Sequence, residues 1–161
     1  VHSTPGEGST FWVNLPLAAI PDAARAITAP LAARSLLVID DVPAAAEAIA
    51  THLRAAGATV TCAPRTPDIG TDRFDAILID SRMPETDGFA TAQTLRDRHG
   101  PATPPLLLLA HKGGQDIVEQ AHAGGFRDLV MKPAEPDLLI ARLIALFQSP
   151  GTALPAPEAC P

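Results

Sequence analysis

Four side chains in this 161-residue chain have the types and the placement to do chemistry together. Asp40 and Asp41 follow one apolar run, Asp80 follows another, and Lys132 follows a third with Pro133 directly behind it. Carboxylates gathered at one place repel, and burying them costs on the order of several kcal/mol per ion unless something compensates. A divalent cation resolves that conflict. Oxygen-only donors, few in number and leaving room for water, suit Mg²⁺ better than a transition metal. Taken singly, each residue has an ordinary explanation: an Asp after a strand usually caps a helix or forms a turn, and a Lys usually faces solvent. Their joint placement on three separate run ends favours a shared chemical use.

The surrounding pattern says how these ends could meet. Apolar runs of strand length lie at 35–39, 58–62, 76–79, 106–109 and 126–131. Between and after them, helical spacing of apolar residues covers 43–56, 88–99, 115–123 and 136–147, with a weaker helix or loop at 67–73. Gly57 and the Gly124-Gly125 pair stop helices, and Pro136 stands in the first turn of the last one. Continuous apolar strands alternating with helices predict a parallel sheet buried on both faces. Right-handed crossovers make such a sheet doubly wound, an α/β fold that places chemistry at the carboxyl ends of its strands. Asp40, Asp41, Asp80 and Lys132 all fall there.

Composition narrows the partners. The formal net charge of -6 offers no footing on nucleic acid or anionic lipid. No stretch approaches the roughly 20 apolar residues of a membrane helix, and no signal peptide is present. Cys62 sits in an apolar run and reads as a small buried hydrophobe, whereas Cys160 lies in a Pro-rich terminal stretch. Neither has metal-ligand spacing, so a reducing cytoplasm is the expected location. With Val1 in place of an initiator Met, the chain is expected to be a piece of a longer one. Residues 18–33 are rich in Ala and Pro and read as a linker, with a helical turn near 22–27; 148–161 read as a disordered tail.

The segments Leu36-Leu-Val-Ile-Asp-Asp41, Ile77-Leu-Ile-Asp-Ser-Arg-Met-Pro-Glu-Thr-Asp-Gly88 and Val130-Met-Lys-Pro133 resemble a response-regulator receiver domain spanning 34–147. The resemblance implies a flavodoxin-like, five-stranded parallel sheet in the order 2-1-3-4-5. It implies that Asp80 is a nucleophile taking a phosphoryl group from a phosphohistidine to give an acyl phosphate. Asp41 and Asp80 would hold Mg²⁺ directly, Asp40 through water, and Arg82 through its backbone carbonyl. Lys132 would pair with Asp80 and then with the phosphoryl oxygens. A bacterial histidine kinase is the implied donor, and a His phosphotransfer domain a further acceptor.

Two positions depart from that family. Ala110 stands where a Thr or Ser is usual, and Leu129 where a Tyr or Phe is usual. Ala110 cannot donate the hydrogen bond that the hydroxyl would make to a phosphoryl oxygen. Leu129 has no ring to rotate behind it. His111 follows Ala110; it could reach the site, but a loop histidine in solvent is the commoner case. These departures favour, as an alternative, a receiver that docks or regulates its own kinase, or binds a ligand, without switching. A flavin- or nucleotide-binding enzyme of the same topology fits poorly. No Gly-rich loop follows the first strand, and Asp40-Asp41 would repel a phosphate there.

Residues 1–17, through Gly6-Glu-Gly-Ser-Thr-Phe11 and Leu15-Pro-Leu17, resemble the last segment of a histidine-kinase ATP-binding domain, with a short strand expected at 10–15. Followed by a linker and a receiver, this is the order of a hybrid sensor kinase. The remaining kinase motifs are missing, so the fragment itself is not expected to phosphorylate itself from ATP.

Overall fold

The computed structural model describes residues 2–4, 8–10, 13, 29–66, 74–84, 87–111 and 115–148. Near the start, β1 (His2–Thr4) pairs antiparallel with β2 (Gly8–Thr10), His2 opposite Thr10. The main body then runs β3 (Ser35–Ile39), α1 (Pro43–Ala55), β4 (Thr59–Ala63), β5 (Ala76–Asp80), α2 (Gly88–His99), β6 (Leu106–Ala110), α3 (Gln115–Ala123), β7 (Asp128–Met131) and α4 (Pro136–Gln148). Its sheet has the order β4-β3-β5-β6-β7, every pair parallel, which is 2-1-3-4-5 counted within the body.

Side chains alternate between the faces of a strand, and here both faces are apolar. Leu36, Val38, Val60, Leu78, Leu107 and Leu109 pack with Ile49 and Leu53 of α1 and with Leu139 and Leu143 of α4. Leu37, Ile39, Ile77, Ile79, Leu106 and Leu108 pack with Leu95 of α2, Ala121 of α3 and Phe126. β3, β5 and β6 therefore sit in the middle of the body with almost every residue buried. Phe89 and Phe126 meet edge to face at 5.5 Å, tying the start of α2 to the turn after α3.

The expected elements are present, with shifted ends. The second strand of the body starts at Thr59, because Gly57 takes a positive φ of 98° and Ala58 N–H still bonds back to Leu53. Asp80 and Ala110 close their strands from inside rather than following them. The strand expected from Phe126 starts at Asp128, since Phe126 N–H is spent on Ala121 in the turn. At the other end of the chain, the described residues hold a strand at Gly8–Thr10. Most of 10–15, the turn at 22–27, the weak helix at 67–73 and nearly all of 148–161 lie outside the described residues.

Packing begins ahead of Arg34. Leu31 is fully buried, and its N–H donates to Ala56 O at 2.9 Å. A Cβ on Gly57 would sit 2.7 Å from the Ala29 Cβ, so this approach needs a glycine. Arg34 pairs with Asp75 at 3.0 Å and lies over the Phe147 ring at 4.4 Å.

Candidate functional site

Each candidate side chain is carried to the same edge by its strand. Asp40 leaves β3 with its N–H donated to Ala63 O, and its Oδ1 accepts from Val42 N at 2.9 Å. That bond is an Asx-type turn, and it starts the chain toward α1, whose first residue is Pro43. Asp80 ends β5, where its Oδ2 accepts from Arg82 N at 3.3 Å. Lys132 follows β7, held by its N–H to Ala110 O at 2.6 Å, and precedes a cis Pro133. Asp87 caps α2, its Oδ1 accepting from Phe89 N at 3.1 Å. A Cβ on Gly88 would lie 2.2 Å from Asp80 O, so α2 starts directly against the end of β5.

The side chains converge. Lys132 Nζ lies 2.5 Å from Asp40 Oδ2 and 2.7 Å from Asp80 Oδ1, so it bridges two carboxylates rather than pairing with Asp80 alone. Asp40 and Asp80 are each 2% exposed. Asp41 is less buried, and one oxygen from each of Asp40, Asp41 and Asp80 falls within 4.8 Å of the others. Burial pushes the Lys132 pKa down, but hydrogen bonds and charge from Asp40 and Asp80 outweigh it and leave the ammonium above its ordinary value. The Lys132 ammonium is thus the close partner of the buried Asp80 Oδ1. These groups line an open cleft of about 1000 Å³ together with Arg82, Met83, Asp87, Phe89, His111 and Gln120.

The donor set suits a hard divalent cation. Three carboxylates against one ammonium leave two formal negative charges, and all the donors are oxygens.

Ala110 is fully buried among the apolar side chains of α2 and α3, and Leu129 is half-buried beside them. His111 is exposed, as its loop position suggests, yet it also reaches the site. Its Nδ1 lies 3.5 Å from Asp80 Oδ1, with the side chain 39% exposed. Asp87 and Met83 also face the cleft. Their signal in the sequence was their place in the Met-Pro-Glu-Thr-Asp-Gly stretch, which reads as a turn rather than as a wall of the site. Cys62 is half-buried, and burial first, then the Glu47 carboxylate, raises its thiol pKa, as befits a structural hydrophobe.

The model of the response regulator receiver domain family matches residues 36–144, and the chain belongs to that family. The Phosphate regulon transcriptional regulatory protein PhoB of Pseudomonas aeruginosa is 32% identical over 122 residues, covering 73% of this chain and 53% of that protein. The DNA-binding dual master transcriptional regulator RpaA of a Synechocystis species is 30% identical over 117 residues, covering 70% and 48%. This chain thus spans about half the length of the curated relatives it matches. Among solved structures, the receiver domain of the Francisella response regulator 1452 superposes with a TM-score of 0.62 at 25% identity, over 73% of this chain and 99% of that one. No helix among the described residues is long and apolar enough to cross a membrane.

Proposed function

We propose that this receiver domain is a Mg²⁺-dependent phosphoacceptor in a two-component phosphorelay, with Asp80 as the nucleophile. The observation that carries this reading is the convergence of Asp40, Asp41, Asp80 and Lys132 in one cleft. A carboxylate oxygen of Asp80 attacks the phosphorus of a phosphohistidine. The P–O bond forms, the P–N bond breaks, and the imidazole leaves with the electron pair and takes a proton. Asp41 and Asp80 would hold the ion, with Asp40 behind a water and the Arg82 carbonyl as a further donor. Bound there, the ion would offset charge on the phosphoryl oxygens. Lys132, already 2.7 Å from Asp80, supplies the fixed positive charge on the other side.

The likeness of residues 1–17 to the end of a kinase ATP-binding domain supports an origin in a hybrid histidine kinase, whose own phosphohistidine would then be the donor. The coding sequence upstream of Val1 is expected to encode the rest of that domain; an unrelated reading frame there would overturn this origin.

The phosphoacceptor reading is tested by incubating the chain with Mg²⁺ and acetyl phosphate and recording the intact mass. One phosphoryl group is expected, lost in Asp80→Asn and in the presence of chelator. An Asp80→Asn chain that gains the same mass would sink the assignment. A second reading, a receiver that docks on its kinase without switching, is favoured by the buried methyl of Ala110 and by the aliphatic Leu129.

A further inference from the structure

One side chain of the cleft has no part in the chemistry above. His111 stands directly after β6 and brings Nδ1 to 3.5 Å from Asp80 Oδ1. That oxygen is buried, with the Lys132 ammonium 2.7 Å away. Ala110, one residue earlier, is fully buried, so among the described residues the wall at the end of β6 is the imidazole. Lys132 is shared with Asp40 at 2.5 Å, which leaves it a divided partner for any group added to Asp80.

We infer that, with Asp80 as the phosphoacceptor, His111 is a catalytic residue that donates a ring N–H to the phosphoryl group as it moves onto Asp80. It supplies from one position later in the chain the hydrogen bond that Ala110 cannot make. The inference rests on the phosphoacceptor reading and deepens it.

The chemistry needs nothing further. During transfer, charge spreads over the three equatorial oxygens of the phosphoryl group, and a fixed donor aimed at them lowers the barrier. A phosphoryl group on Asp80 projects its oxygens from the carboxylate into the cleft, toward a nitrogen that already stands close to hydrogen-bonding distance. A neutral imidazole keeps one N–H, and the role asks that Nδ1, the nitrogen nearest Asp80, be the one that carries it. With acetyl phosphate as donor, an Asp80 oxygen bonds to phosphorus, the bond from phosphorus to the acetyl oxygen breaks, and acetate leaves with the electron pair. His111 keeps its proton throughout.

The test measures the rate at which the chain gains phosphoryl mass from acetyl phosphate and Mg²⁺. His111→Leu is expected to slow the gain about tenfold, less than the roughly hundredfold or more lost with a fully enclosed oxyanion donor, because the ring is partly in solvent. His111→Gln, which keeps an N–H, should recover part of the rate. Ala110→Thr placed in the His111→Leu chain should recover it too, by restoring a hydroxyl one residue away. The thermal midpoint of His111→Leu should match the wild type. A wild type that is phosphorylated no faster than His111→Leu overturns the role of His111 and leaves Asp80 standing. A slow His111→Leu chain that neither replacement restores also overturns it, because the ring would then act by shape alone. A wild type that takes no phosphoryl group sinks the reading of Asp80 and this role with it.

Discussion

Lys132 and Asp128 show how differently two buried charges can be treated. Lys132 has two carboxylate partners and is held charged by them. Lys132→Met would leave Asp40 and Asp80 facing each other without a counter-charge. A loss of about 3–5 kcal/mol is expected, as for other buried pairs cut on one side; urea unfolding measures it, and added Mg²⁺ should return part of the loss. Asp128 is 6% exposed, and the Arg142 guanidinium is 3.5 Å away. Burial raises its pKa, against smaller opposing effects of the Leu129 N–H and of Arg142. A carboxyl with a raised folded-state pKa contributes most below its unfolded value, and the contribution is lost as pH rises through the folded one. Ionised Asp128 therefore weakens the fold at neutral pH. Asp128→Asn should unfold at higher urea than the wild type at pH 7, with the advantage shrinking as the pH falls toward the ordinary carboxylate range. The acidic cluster and Lys132 were legible in the sequence because each follows an apolar run. The nearness of His111 to Asp80 was legible only as one of two options, because it depends on how the chain leaves β6, and no residue there signals a direction.

The elements were legible for a related reason. Leu36 to Ile39, Ile77 to Ile79 and Leu106 to Leu109 are continuous apolar runs, and in a sheet covered on both faces continuity is the expected pattern. Element ends were less legible because they are fixed by turn bonds, such as Ala58 N–H to Leu53 and Phe126 N–H to Ala121. Gly88 shows what an end can control. Gly88→Ala would drive a methyl into the Asp80 carbonyl oxygen. A cost of about 1–3 kcal/mol is expected from that overpacking, along with slower phosphorylation as the end of β5 shifts; thermal unfolding and the mass assay would report the two separately.

At the scale of the whole molecule, the family resemblance implies a signal that couples a hydroxyl at the end of β6 to an aromatic ring on β7. Here those positions hold Ala110 and Leu129. A ligand shifts an equilibrium only by its differential interaction with the two states. His111 already stands 3.5 Å from Asp80 at rest, so a contact through it demands little inward movement. Phosphorylation should therefore change the conformation less than in a receiver with the hydroxyl and the ring. Amide spectra with and without a phosphoryl mimic on Asp80 test this. Shifts through α3 and β7 as large as those around Asp80 would show the expectation wrong, and an Ala110→Thr, Leu129→Tyr chain with an unchanged response would count equally against it.

The burial of Leu31 bears on delivery. By fastening the incoming chain to Ala56, at the amino-terminal pole of the sheet, it roots any preceding domain on the side opposite Asp80. Leu31→Ala, expected to cost about 2–5 kcal/mol, would loosen that root. On the proposed hybrid-kinase origin, a donor histidine upstream would have to be carried around the body, past strands of five residues, about 17 Å long. Residues 18–28, drawn fully out, reach about 40 Å at most. If the proposed hybrid-kinase origin holds, that length would let a donor in the same chain reach Asp80 and would set how often the two meet.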